Sequence, residues 1–271
     1  MVMAKMKAAG AKDVQQYGES WKQADEYLRL TVIPRAQSQG QECVYVPPFD
    51  HPDIWTGHAS MVQEMQQQLG VVTEDANAIP SVIACSVGGG GLLNGIMQGL
   101  ENTNWTSSST TTVLATETKG ADSLAESIRQ NKHITLPSIT SLATTLGATK
   151  VSAKTFELAT ATKPQQQIKS VVLTDQEAMM GAWRFAEDER MLVELACSVT
   201  IALCYGGRLE KALQRKVSAD EKVVMIVCGG STVSIDMIAQ WKRDSAHIDG
   251  EASLEEKETV PSAATVMDVL V

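Results

Sequence analysis

Apolar residues recur along this chain in two rhythms. From His58 to Leu69, the apolar Met61, Val62, Met65 and Leu69 stand three or four positions apart, which stacks them on one face of a helix. Elsewhere the apolar residues come in short unbroken runs, at Ser81–Cys85, Thr111–Glu117, Lys169–Thr174 and Lys222–Gly230. A run without polar alternation suits a strand covered on both faces, as in a parallel sheet. Helices are predicted between these runs, over about Leu92–Glu101, Ala121–Gln130, from Asp175 onward, Glu194–Tyr205 and Ser234–Lys242. Thr174 and Glu177 have the spacing of a capping box, in which each residue satisfies a free N–H of the helix start. Upstream, residues 3–9 and Glu19–Ile33 read as helices stopped by Gly10 and Pro34, and Glu42–Phe49 as a short strand ended by Pro47-Pro48. Strands that alternate with helices imply an α/β fold: a three-layer parallel sheet with helices on both faces.

Composition narrows the partners. The chain has 271 residues, 44% of them hydrophobic, enough for a real core. Its 32 acidic and 23 basic residues leave a net charge of −9, and no Lys/Arg stripe offers a nucleic-acid or anionic-membrane footprint. No apolar run reaches the roughly 18 residues of a membrane span. The five cysteines, at positions 43, 85, 197, 204 and 228, form no CxxC pair and read as reduced, mostly buried thiols of a cytoplasmic protein. From Arg243 to Val271 the chain turns polar and acidic, which predicts a loose tail.

The candidate chemistry lies in Ser86–Gly95, where Gly88, Gly89, Gly90 and Gly91 follow directly on a predicted strand. Glycine loses more backbone entropy on folding than any other residue, so four in a row need a reason. The run is either a bare strand-to-helix turn or an anion nest, in which backbone N–H groups and a helix N-terminus receive a phosphate. Four glycines at a strand's carboxyl end favour the nest. A P-loop is excluded because Ile96, not Lys, follows Gly95, and the dinucleotide fingerprint lacks its third glycine, since Leu93 and Asn94 occupy the required positions. A smaller phosphate-bearing cofactor remains. The histidines, at 51, 58, 133 and 247, show no metal spacing, and His58 reads as a structural residue at a helix start.

The stretch Ser86–Glu101 resembles the phosphate loop of the L-serine/L-threonine dehydratases, fold-type II pyridoxal-phosphate enzymes akin to the tryptophan synthase β subunit. Residues 44–60, 115–128, 134–151, 173–197 and 223–234 resemble further segments of the same family, in order, through about residue 240. The resemblance implies that Gly88, Gly89, Gly90, Gly91 and Leu92 bind the cofactor phosphate and that Cys228 faces the pyridine nitrogen. Taken alone, Cys228 reads as a small buried hydrophobe. It further implies a potassium site built from Gly88, Glu117, Ala121, Leu146 and Ala148. Glu194 matches a position near the cofactor, and Leu195 stands where relatives carry proline. Residues 1–40 would be the remnant of a small domain, 41–242 the large cofactor domain, and 243–271 the tail. The implied reaction is β-elimination from L-serine or L-threonine, giving pyruvate or 2-oxobutanoate and ammonia, with a homodimer expected for full-length members. The family segment carrying the lysine that holds the cofactor covalently, and the Ser/Gly/Asn loop that grips substrate, finds no counterpart here, so this chain alone is expected to be inactive. The alternative is a non-catalytic relative that binds phosphate or a partner; a nucleotide-binding oxidoreductase is a weaker third reading.

Overall fold

The computed structural model describes residues 2–75, 78–103, 111–161 and 166–256. Contacts divide the chain into two units, Met1–Pro48 and Phe49–Val271.

The second unit is built on a parallel sheet. Strands β1 (Val82–Ser86), β2 (Thr111–Thr118), β3 (Gln166–Leu173) and β4 (Val223–Met225) lie in the order β3-β2-β1-β4. The register pairs Val82 with Thr112 and with Val223, and Thr111 with Gln166. Helices α4 (Pro52–Val72), α5 (Gly91–Asn102), α6 (Ser123–Arg129) and α7 (Ala153–Thr160) pack on one face, and α8 (Asp175–Glu189), α9 (Leu195–Ile201) and α10 (Arg208–Leu213) stand elsewhere around the sheet. Side chains alternate along a strand, so the two faces are fed by alternate residues. Ile83, Cys85, Val113 and Ala115 meet Leu93, Ile96 and Leu100 of α5, while Val82, Ala84 and Leu114 meet Leu203 and Leu213. Both sets are fully buried, which is why the strands read as unbroken apolar runs; each such aliphatic side chain contributes about 1.5–3 kcal/mol. The three-layer α/β arrangement expected from the pattern is the one observed.

The capping box is present: Thr174 accepts from Glu177 N, and Glu177 accepts from Thr174 N. Arg208 adds a 2.9 Å ion pair to Glu177, and these bonds hold the Glu177 carboxyl below its usual range although burial opposes them.

Several boundaries differ from the pattern. Pro34 does not stop its helix: α2 (Trp21–Tyr27) passes through a π-helical turn, Leu28–Val32, into α3 (Ile33–Ser38), where Pro34 sits in the first turn and needs no N–H partner. Residues 42–49 form no strand. Val44 and Val46 are strongly exposed, and no described strand runs beside them to share a ladder. β4 shrinks to three half-buried residues at the sheet edge. His58 lies inside α4, whose start is set by His51, the residue whose Nδ1 accepts from Asp53 N. The expected loose tail instead continues helix α11 (Ile235–Glu256), whose buried Ser245 accepts from Trp183 Nε1 of α8 and whose buried Trp241 joins a core cluster with Met179 and Phe185 of that helix; residues 257–271 lie outside the described residues. α1 (Val2–Ala8) ends just before Gly10, as predicted.

Candidate functional site

The glycine run sits where β1 ends. Val87 N still donates to Thr116 O, at 2.8 Å, and the chain then turns through Gly88–Gly90 into α5. Gly90 caps that helix at φ 91°, a left-handed conformation that other residues adopt only under strain. Close packing demands the neighbours. A Cβ at Gly89 would lie 2.1 Å from the Phe49 ring, and one at Gly91 would lie 2.8 Å from the Phe49 carbonyl oxygen. A Cβ at Gly90 would lie 1.9 Å from Thr155 Oγ1. The loop is therefore gripped from both sides, by Phe49 and by α7.

Among the described residues, none accepts a hydrogen bond from the N–H of Gly88, Gly89, Gly90, Gly91 or Leu92. Gly90 and Gly91 are buried, and a buried donor without a partner costs about 1–3 kcal/mol. Five unpartnered donors, two of them buried and all grouped at the positive end of a 12-residue helix, match the several oxygens of a phosphate without any basic side chain.

Cys228 follows β4 in the parallel neighbour of β1, so it stands at the same carboxyl edge of the sheet as the glycine loop. Ligands of open α/β sheets lie at that edge. The residue is exposed and not the buried hydrophobe it suggests in isolation; atoms crowding one side of its sulfur still raise the thiol pKa, and Ser86 hydrogen-bonds to it. Its N–H points to Cys197 Sγ at 3.2 Å. Of the other cysteines, Cys85 and Cys197 are buried, whereas Cys43 and Cys204 are half-buried. Glu194 ties two loops together, accepting from Thr145 Oγ1 at 2.8 Å and from Thr232 Oγ1 at 2.6 Å, and its N–H donates to Gly229 O. Leu195 is the first residue of α9, a position where proline also fits.

Glu117, on the next strand, is completely buried. Its two oxygens accept from Leu124 N and Ala125 N, each at 2.8 Å, at the start of α6. Burial nonetheless pushes its pKa up to about 8, and Asp122 adds to the rise against the two backbone bonds. Ala121, Leu146 and Ala148 are buried, and Gly88 packs on the Leu146 backbone, where a Cβ would lie 3.3 Å from the carbonyl oxygen. The Leu146 oxygen also accepts from Ala148 N at 2.7 Å. Sequence reasoning missed Ser123. Its buried Oγ has no hydrogen-bond partner, an oxygen suited to a hard cation. In the sequence it looks like an ordinary helix-start serine, and only the orphaned oxygen distinguishes it. No cluster of three or more His, Cys, Asp or Glu side chains suited to a metal occurs among the described residues.

A cavity of about 500 Å³ lies in the first unit, lined by Tyr17, Trp21, Tyr27, Tyr45 and Asp25 among others; it includes none of the candidate residues. No described helix is long and apolar enough to cross a membrane.

Comparison with known proteins places this geometry. The family model described as "Pyridoxal-phosphate dependent enzyme" matches residues 2–229. The chain is 38% identical over 238 residues to an L-serine dehydratase of Saccharomyces cerevisiae, covering 87% of this chain and 68% of that protein. It is 38% identical over 243 residues to a serine dehydratase-like protein of Mus musculus, covering 89% and 68%. The crystal structure of a fungal L-serine ammonia-lyase from Rhizomucor miehei superposes with a TM-score of 0.74 at 29% identity, covering 90% of this chain and 70% of that one.

Proposed function

The chain belongs to the pyridoxal-phosphate dependent enzymes, in the family of the L-serine dehydratases, and from that premise we propose that its glycine loop holds the cofactor phosphate of an L-serine/L-threonine ammonia-lyase site. The observation that carries the reading is the set of five unpaired N–H groups, from Gly88 to Leu92, at the carboxyl end of β1.

Pyridoxal phosphate, when bound, supplies the electron sink for removing the α-proton and losing the β-hydroxyl of a hydroxy amino acid. The protein's part is binding and electrostatics. Gly88, Gly89, Gly90, Gly91 and Leu92 would hold the phosphate through main-chain donors at the helix N-terminus, with no lysine or arginine required. Cys228, at the same sheet edge, would face the ring nitrogen. A thiol is a weak hydrogen-bond partner and cannot keep that nitrogen protonated as a carboxylate would, which favours elimination over transamination. Across the reaction the substrate loses its α-proton and its hydroxyl as water, and hydrolysis then gives the 2-oxo acid and ammonia.

Glu117, with Ser123 Oγ and the carbonyls of Gly88, Ala121, Leu146 and Ala148, is the proposed potassium site. The raised pKa of Glu117 supports it, because a cation would restore the charge that burial disfavours. Substrate is a small amino acid, L-serine or L-threonine. The resemblance supplies no counterpart here of the family's cofactor lysine, so binding to this chain is expected to rest on the phosphate. The alternative, a non-catalytic phosphate-binding relative, shares the cradle and differs in forming no pyruvate.

Calorimetric titration tests the cradle. Pyridoxal phosphate is expected to bind, pyridoxal without its phosphate to bind at least about tenfold more weakly, and inorganic phosphate to compete, since the phosphate contributes several charge-assisted bonds. Equal affinity for pyridoxal and its phosphate contradicts the reading. Pyruvate formation from L-serine in the same samples separates the enzyme from the non-catalytic alternative.

A further inference from the structure

Behind the glycine loop lies a closed ring of three buried polar side chains. Asn94 is 2% exposed, Ser152 2% and Thr155 0%. Asn94 Nδ2 donates to Ser152 Oγ at 3.0 Å, and Thr155 Oγ1 donates to Asn94 Oδ1 at 2.9 Å. The third side joins Ser152 Oγ and Thr155 Oγ1 at 2.8 Å. A hydroxyl has one proton, and Thr155 spends its own on Asn94, so Ser152 is the donor on that side. Every member of the ring thus donates once and accepts once within it. Removing any one of them takes one hydrogen bond from each of the other two.

The ring is wired to the loop through the backbone. Ser152 N donates to Gly89 O, and Asn94 N donates to Gly90 O, both at 2.9 Å. Thr155 Oγ1 fills the space a Gly90 side chain would need. In a planar trans peptide the C=O and the following N–H point in opposite directions. Pinning the Gly89 and Gly90 carbonyls therefore fixes where the N–H groups of Gly90 and Gly91 point, which is away from the ring.

We infer that Asn94, Ser152 and Thr155 are positioning residues that orient the Gly90 and Gly91 N–H groups for an anionic ligand in the loop. This rests on the cradle reading but makes its own demand on the unliganded protein. The loop must be held in its donor-forward shape before any ligand arrives, which lowers the ordering cost of binding.

The test compares wild type, Thr155→Val and Thr155→Ser. Valine keeps the shape and removes the hydroxyl, while serine keeps the hydroxyl. Two quantities are read: amide exchange at Gly90 and Gly91 by NMR, referenced to Ile83 in the core, and affinity for pyridoxal phosphate against pyridoxal. Thr155→Val is expected to raise exchange at Gly90 and Gly91 relative to Ile83 by about tenfold and to weaken pyridoxal phosphate by a similar factor, leaving pyridoxal unchanged. Thr155→Ser is expected to stay within about twofold of wild type on both readings. A Thr155→Val protein that matches wild type on both overturns the inference. If wild type itself binds no pyridoxal phosphate, the functional reading falls, and exchange at Gly90 and Gly91 alone decides this one. Should Thr155→Val fail to fold, Asn94→Ala breaks the ring from its other side and is judged by the same readings.

Discussion

The two units of this chain differ most in what holds them together. In Phe49–Val271, whole strands and helix faces are buried, with Ile83, Leu93, Leu114 and Phe185 at 0% exposure. In Met1–Pro48 the one buried residue among the described residues is acidic: Asp25, at 8% exposure. It accepts from Arg29 Nε at 2.8 Å and from Tyr45 Oη at 2.5 Å, and burial together with that bond lifts the Tyr45 pKa to about 12. Tyr17 and Tyr27 stack 4.0 Å apart, and Leu30, Val44 and Val46 face outward. One unit is organised by apolar burial, the other by a few polar and ring contacts. Every candidate site residue lies in the first kind. A main-chain phosphate cradle needs atoms fixed to a few tenths of an ångström, and close-packed interiors supply that rigidity.

The sharpest way to break the comparison is to truncate one side chain in each unit. Phe185→Ala is expected to cost about 3–5 kcal/mol, seen as a lower urea midpoint for Phe49–Val271. Leu30→Ala, at a 72% exposed position, should change the stability of its own unit, Met1–Pro48, by less than about 0.5 kcal/mol. Comparable losses would show that the first unit has a core after all. Next in size is Gly90→Ala. A side chain at φ 91° strains the backbone by about 1–3 kcal/mol, and the contact with Thr155 adds to that. The same variant should abolish phosphate-dependent binding; unchanged binding would move the cradle elsewhere. Asp25→Asn removes the charge that orders the first unit, and hydrogen exchange should quicken in residues 13–46 but not in the strands.

A separate effect is one of pH. Glu117 carries a folded-state pKa of about 8, above its ordinary value of 4.5, so the folded state holds a proton that the unfolded state has released. Its contribution to stability is fully present below pH 4.5 and is lost as pH rises towards and past about 8. Potassium should flatten that loss, and in Glu117→Gln both the pH slope and the potassium dependence of the melting temperature should disappear. A slope that survives Glu117→Gln assigns it to another group.

How much was legible in the sequence follows the same division. In the second unit each strand was visible, and so were α4, α5, α6, α8, α9 and α11, because burial writes an unbroken apolar run and a cap such as Thr174 writes its own spacing; the short helices α7 and α10 were not. The glycine loop was legible for the same reason: strain at Gly90 and contact at Gly89 and Gly91 exclude every other residue. In the first unit, local pattern misled. Glu42–Phe49 has strand composition but no partner strand, and Pro34 was tolerated because a π-helical turn restarts the helix around it. Ser123 and the Asn94–Ser152–Thr155 ring were illegible, since what marks them is a missing or closed hydrogen bond between residues 58 or more apart in the chain for the ring's longer links.

The most direct test of the central claim is an NMR titration of protein labelled with 15N-glycine. Pyridoxal phosphate should shift the amides of Gly88, Gly89, Gly90 and Gly91 downfield, as donors do when they gain a charged acceptor, and inorganic phosphate should shift the same four. Pyridoxal alone should leave them in place. Unmoved loop glycines in the presence of saturating pyridoxal phosphate, or equal shifts with pyridoxal, would contradict the account.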